Sequence, residues 1–190
     1  MKRIVFLMAA SAALVAAPAL AQEGDVVGTV EVTGSVASKC VVIGEGVGQT
    51  FSDTFALGAL DDTDGTLGTI SNQSTSFRVN CTKANPAIKL EAGSLVNTAS
   101  APTGFTNTVR YTAYADFATQ STTTSATKTL SVDTAAETED SDDLDGAFLA
   151  NTGNNNVTVR AESFNVANAT DILVAGDYTS TITVTITPAS

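Results

Sequence analysis

Tyr178-Thr179-Ser180-Thr181-Ile182-Thr183-Val184-Thr185-Ile186-Thr187-Pro188, close to the C-terminal end of the chain, decides the fold class. Successive side chains of an extended strand point to opposite sides. Tyr178, Ile182, Val184 and Ile186 therefore share one face, and Thr179, Thr181, Thr183, Thr185 and Thr187 share the other. β-Branched residues on both faces restrict χ1 and favour extended backbone over helix. Pro188 has no N–H to donate and ends the ladder.

The same period of two recurs upstream. From Val26 to Val36 the even positions read Val26, Gly28, Val30, Val32, Gly34 and Val36, while the odd ones include Thr29, Glu31, Thr33 and Ser35. That alternation marks a ribbon with one buried face. Between the two segments, shorter strands are expected near 40–43, 75–81, 88–92, 109–115, 128–132 and 156–161. Turn clusters such as Asp61-Asp62-Thr63-Asp64-Gly65 and Asn151-Thr152-Gly153-Asn154 separate them. Helix is disfavoured, because Thr, Ser, Val, Asn and Gly dominate and no long stretch places apolar residues at three-and-four spacing. Many short strands with Gly-rich turns predict an all-β, antiparallel sandwich of immunoglobulin type. Residues 119–155, with Ser/Thr runs and the acidic stretch Glu137–Asp145, offer little to bury; an exposed hairpin or long loop is expected there.

The N-terminal residues read as a secretory signal peptide. Lys2-Arg3 precede an uncharged run from Ile4 to Val15, and Pro18-Ala19-Leu20-Ala21 place the cut before Gln22. No second apolar stretch of spanning length follows, so no membrane span is expected after cleavage. The expected organisation is a signal peptide at 1–21, an N-terminal extension at 22–33 and one β-sandwich domain at 34–190. Export also decides the reading of Cys40 and Cys81, which have no other cysteine beside them. In an oxidising compartment an even pair reads as a disulfide, and closing the long loop between them contributes on the order of 4 kcal/mol.

Composition removes several classes of function. The formal net charge is −11 and becomes more negative once Lys2 and Arg3 leave with the signal. Such a surface repels phosphate backbones and anionic lipid heads, which argues against nucleic-acid or membrane-surface binding. There is no histidine, so histidine-based triads fail, and no Gly-x-Ser-x-Gly elbow or phosphate-cradling loop appears. The carboxylates at Asp61–Asp64 and Asp140–Asp145 sit in contiguous runs, which point to water. As calcium loops they do not comply: counting back from Gly65 or Gly146 puts Leu60 or Ser141 at the first ligand position of an EF-hand. Tyr111, Tyr114 and Phe117, the densest aromatic group, divide between two faces at strand spacing and make no stacking platform. No catalytic residue, metal site or cofactor is expected, and the chain is not expected to be an enzyme.

Four pieces of sequence, in order, carry a resemblance: Gly34-Ser35-Val36-Ala37-Ser38-Lys39-Cys40, Phe55-Ala56-Leu57-Gly58, Phe77-Arg78-Val79-Asn80-Cys81-Thr82, and Ala175-Gly176-Asp177-Tyr178 leading into the C-terminal strand. The chain resembles the spore coat protein U domain family, whose members include subunits of archaic chaperone-usher pili. The likeness runs from about Gly28 to Pro188, apart from the low-complexity insertion. It implies an incomplete immunoglobulin-like (pilin-type) sandwich with one disulfide, lacking its last strand. It also implies passage through the periplasm with a chaperone, secretion by an outer-membrane usher, and completion of each subunit by its neighbour's extension at the cell surface.

Carried over by position, Val26, Gly28, Val30 and Val32 match the donor strand, with Gly28 where the acceptor groove narrows. Cys40 and Cys81 match the bridge between the first two strands. Tyr178, Ile182, Val184 and Ile186 match the C-terminal strand that borders the groove and pairs with the chaperone. One departure is visible: classical pilins carry a penultimate aromatic, whereas this chain reads Thr187-Pro188-Ala189-Ser190. The expected function is a structural pilus or fimbrial subunit assembled by donor-strand complementation, with adhesion and biofilm formation as the implied role. The alternatives are a self-complete secreted coat or matrix protein of the same fold, and a secreted calcium- or carbohydrate-binding module.

Overall fold

The computed structural model describes residues 29–44, 50–120, 125–134, 136–141, 144 and 146–190. The expected signal peptide and the donor positions Val26 and Gly28 lie outside the described residues. The chain divides into two compact units, Met1–Ser35 and Val36–Ser190. In the first, residues 29–35 form no strand and are exposed.

The second unit is all-β among its described residues. Its strands are β1 (Cys40–Ile43), β2 (Gln73–Cys81), β3 (Ala87–Ala92), β4 (Leu95–Val96), β5 (Phe105–Thr106), β6 (Thr108–Ala118), β7 (Ser125–Val132), β8 (Glu137–Ser141), β9 (Val157–Asn165), β10 (Ile172–Leu173) and β11 (Ile182–Thr187). The larger sheet runs β1-β2-β9-β6, and β6 is flanked by β4 at its start and by β7 along the rest. The smaller runs β11-β3-β8. Every pairing in these two sheets is antiparallel. A separate pair, β5 with β10, is parallel. The result is an antiparallel β-sandwich, as the alternation along the C-terminal strand predicts. No helix among the described residues is long and apolar enough to cross a membrane.

The core forms where alternate residues of both sheets meet. Along β6, Val109, Tyr111, Ala113, Ala115 and Phe117 are buried, and Ile88, Leu90 and Ala92 of β3 are buried in the same cluster. The other face of β6 carries Tyr114, over whose ring the Arg160 guanidinium lies 4.3 Å from the centroid. Arg160 Nε also donates to Asp116 at 2.7 Å, and that bond, with Glu162 adding to it, raises the guanidinium's affinity for its proton. The three aromatics thus divide between two faces, with Tyr111 and Phe117 inside and Tyr114 outside.

The described part of residues 119–155 is not the exposed hairpin or long loop expected of it, because it supplies strands and core residues. This stretch contains β7 and β8 and contributes Leu130, Val132, Leu144, Leu149 and Ala150 to the buried interior. β7 pairs with β6 over eight residues, from Tyr111↔Val132 to Ala118↔Ser125. β8 becomes the second edge of the smaller sheet. An edge strand tolerates acidic residues that a central one would not, so context overrides the low strand propensity of Glu and Asp. Leu144 is 2% exposed, and its N–H is held by Asn85 Oδ1 at 2.9 Å.

A buried amide finishes the ladder where β9 begins. Val157 is the first residue of β9 and pairs with Phe77; beyond it no β9 residue stands opposite Val79. Asn156 supplies the missing bonds: its Oδ1 accepts from Val79 N–H at 2.8 Å, and its Nδ2 donates to Val79 O at 2.7 Å and Ala150 O at 2.8 Å. Leaving those buried groups unpaired would cost about 1–3 kcal/mol each, so Asn156 holds β2 in place beneath the groove described next.

Candidate functional site

Two of the open strand edges among the described residues face one cleft. β1 bonds only β2, and β11 bonds only β3. Both line one groove of about 800 Å³, β1 through Cys40, Val41 and Val42, and β11 through Ile182–Thr187 as far as Ile186. Val79, Tyr111, Val159 and Ala161 of the larger sheet also line it. Ile182, Val184 and Ile186 are half-buried while the threonines between them are exposed, so the groove meets the apolar face of β11. A cleft that presents apolar side chains between two strand edges with open backbone N–H and C=O groups has the chemistry of a sheet with one strand removed.

β1 is short and needs anchoring. Cys40 and Cys81 are joined as a disulfide and form the first pair of the β1–β2 register. Thr82 continues the stitching one residue on. Its N–H donates to Lys39 O at 2.9 Å, its Oγ1 accepts from Lys39 N–H at 3.0 Å, and the same hydroxyl lies 2.9 Å from Ala37 O as donor.

On the opposite wall, Ser180 Oγ bonds Gly93 O and lies 3.0 Å from Tyr111 Oη. Burial pushes the Tyr111 phenol above its ordinary range, so the ring meets the groove as a neutral group. Thr50–Phe55 and Leu57 also line the groove. Phe51 stacks on Phe77 with ring centroids 4.4 Å apart. Asp53 accepts from the Thr75 hydroxyl at 2.5 Å and from Thr54 N–H at 2.8 Å; these bonds hold its carboxyl below the usual carboxylate range.

A second hollow of about 690 Å³ continues from the groove, sharing Phe55, Leu57 and Leu95 with it. Phe55-Ala56-Leu57-Gly58 and Ala175-Gly176-Asp177-Tyr178, far apart in sequence, meet in this hollow, with only Ala56 outside the lining. Tyr178 Oη is fixed as donor 3.0 Å from both Thr106 O and Val174 O. The turn at Gly176 (φ +134°) packs against Asn97, whose Nδ2 donates to Val174 O at 3.2 Å and Ala175 O at 3.1 Å. A Cβ at Gly176 would come within 2.7 Å of that nitrogen, so the turn requires glycine.

Ile182, Val184 and Ile186 line the groove, and Tyr178 lines the adjoining hollow. The physical reason is that the chain changes partner between them. Thr179 bridges Val96 of β4, whereas Ile182 opens the ladder with β3. Val30 and Val32 are 86% and 90% exposed. Phe51 and the groove role of Phe55 and Leu57 escaped sequence reading. Their odd-numbered spacing was the available signal, interrupted by the polar Asp53.

The acidic turn at Asp61–Asp64 is bonded within itself: Asp62 Oδ1 accepts from Asp64 N–H at 3.0 Å and Thr66 N–H at 3.2 Å. Compared with protein-family models, curated proteins and solved structures, the chain matches none of them.

Proposed function

We propose that this chain is a structural subunit of a surface fibre, built by insertion of one copy's N-terminal extension into the groove of the next. The observation that carries the reading is the pairing of opposites: a cleft flanked by two unpartnered strand edges, and an extension with Val30 and Val32 exposed in phase. A donated strand satisfies both needs at once. Its backbone bonds the open edge of β11, and its alternate side chains fill the apolar lining. A small molecule of suitable volume would fill the cleft but leave the edge N–H and C=O groups unpaired.

The resemblance to the spore coat protein U domain family, and through it to archaic chaperone-usher pilus subunits, supports the same reading. On that basis the chain is exported by its 1–21 signal, held in the periplasm by a chaperone that covers β11, and passed to an outer-membrane usher. Adhesion and biofilm formation are the corresponding biological role. Export also suits the disulfide, which persists in oxidising compartments.

Surface material sheared from cells that express the chain and run unheated on a denaturing gel should show a ladder of multiples that collapses to one band on boiling. A single unheated band at the monomer position would mean that the cleft is filled within one molecule, as in a coat or matrix protein, and would refute the fibre reading.

A further inference from the structure

Building on strand donation, we infer that Val36 of the donor copy seats in the second hollow of the acceptor, beside Tyr178, so that the docking site extends past the groove.

Side-chain phase restricts the register. In an antiparallel pair, residues directly opposite share a face, so inward-pointing Val30 and Val32 must oppose even-numbered residues of the C-terminal segment. Antiparallel pairing is the rule throughout both main sheets and is the more stable arrangement per residue. With Val30 opposite Val184 and Val32 opposite Ile182, Gly34 falls opposite Ser180 and Val36 opposite Tyr178. Each placement suits its site. Gly34 carries no side chain where Ser180 and Tyr111 are tied together at the groove wall. Val36 lies four residues beyond Val32, about 13 Å along an extended strand, and meets the side of the hollow formed by Phe55, Leu57 and Leu95, which the hollow shares with the groove.

Val36 is 81% exposed in its own copy, and its phase matches that of Val30 and Val32. Only Ala37, Ser38 and Lys39 separate it from Cys40, where the donor's own β1 begins. Seating Val36 therefore brings the two sandwiches close and limits their freedom to swivel.

The test uses full-length chains that keep the native disulfide and carry one added cysteine each, mixed in pairs and treated with a short bismaleimide. Val30→Cys with Val184→Cys reports strand donation, and Val36→Cys with Ala59→Cys reports the hollow. Links in both pairs are the expected result. A link in the first pair without the second overturns the inference and leaves strand donation standing; no link in either removes both. A link from Val36→Cys to Pro188→Cys would place the donor in the opposite direction and also overturn it. Val36→Asp should keep the Val30–Val184 link while the copies separate about tenfold faster, which corresponds to about 1.4 kcal/mol. An unchanged separation rate would contradict the seat.

Discussion

The double substitution Val30→Asp, Val32→Asp is expected to abolish assembly while leaving the melting temperature of the sandwich unchanged. Both side chains are exposed, at 86% and 90%, so replacing them removes no packing, and such surface changes usually fall within about 0.5 kcal/mol. Their cost appears on insertion. Each carboxylate would enter a cleft lined by Val79, Val159, Ile182 and Val184, with no cationic side chain among its described lining residues to meet it. Burying an unpaired charge costs several kcal/mol, so two of them should lower the assembled fraction by about a thousandfold or more. Sedimentation or unheated gels read the loss, and thermal unfolding checks the fold. Assembly at the normal level would show that the extension does not enter the groove.

Removing the bridge with Cys40→Ser and Cys81→Ser should act on the same site from the other side. β1 has four residues and one neighbouring strand, so the disulfide carries much of its attachment. The bond closes a loop with a sequence separation of 41 residues. In the chain-entropy model its removal costs about 4 kcal/mol, or roughly 12 °C in melting temperature for a domain of this size. The groove also loses a wall that no longer stays in place. Circular dichroism on heating reads the first effect and donor-peptide binding the second. A melting temperature within about 2 °C of the parent would contradict the role given to the bridge.

Sequence and structure agree best where one periodicity dominates. β11 reads correctly because its apolar face and its threonine face are unmixed, and Cys40–Ile43 is recovered residue for residue as β1. The region 119–155 misled for a physical reason. Leu144 stands alone among acidic residues and Leu149 lies in the short apolar run Ala147–Ala150, so neither sits in a window long enough to show a period, yet both are buried in the core cluster. Asn97 and Asn156 were equally hidden, since an asparagine whose side chain ties down remote backbone, a turn for Asn97 and β2 for Asn156, looks like any turn residue. The Val26–Val36 alternation illustrates a further limit: periodicity states which face of a ribbon seeks burial and says nothing about which molecule supplies the other strands.

Hydrogen–deuterium exchange at the β11 amides that point away from β3 tests the central claim most directly. In isolated chains these amides have no partner among the described residues and should exchange fast; in assembled material they should become protected, together with the amides of residues 26–34. Protection already complete in the isolated chain, or exchange that stays fast after assembly, would contradict strand donation.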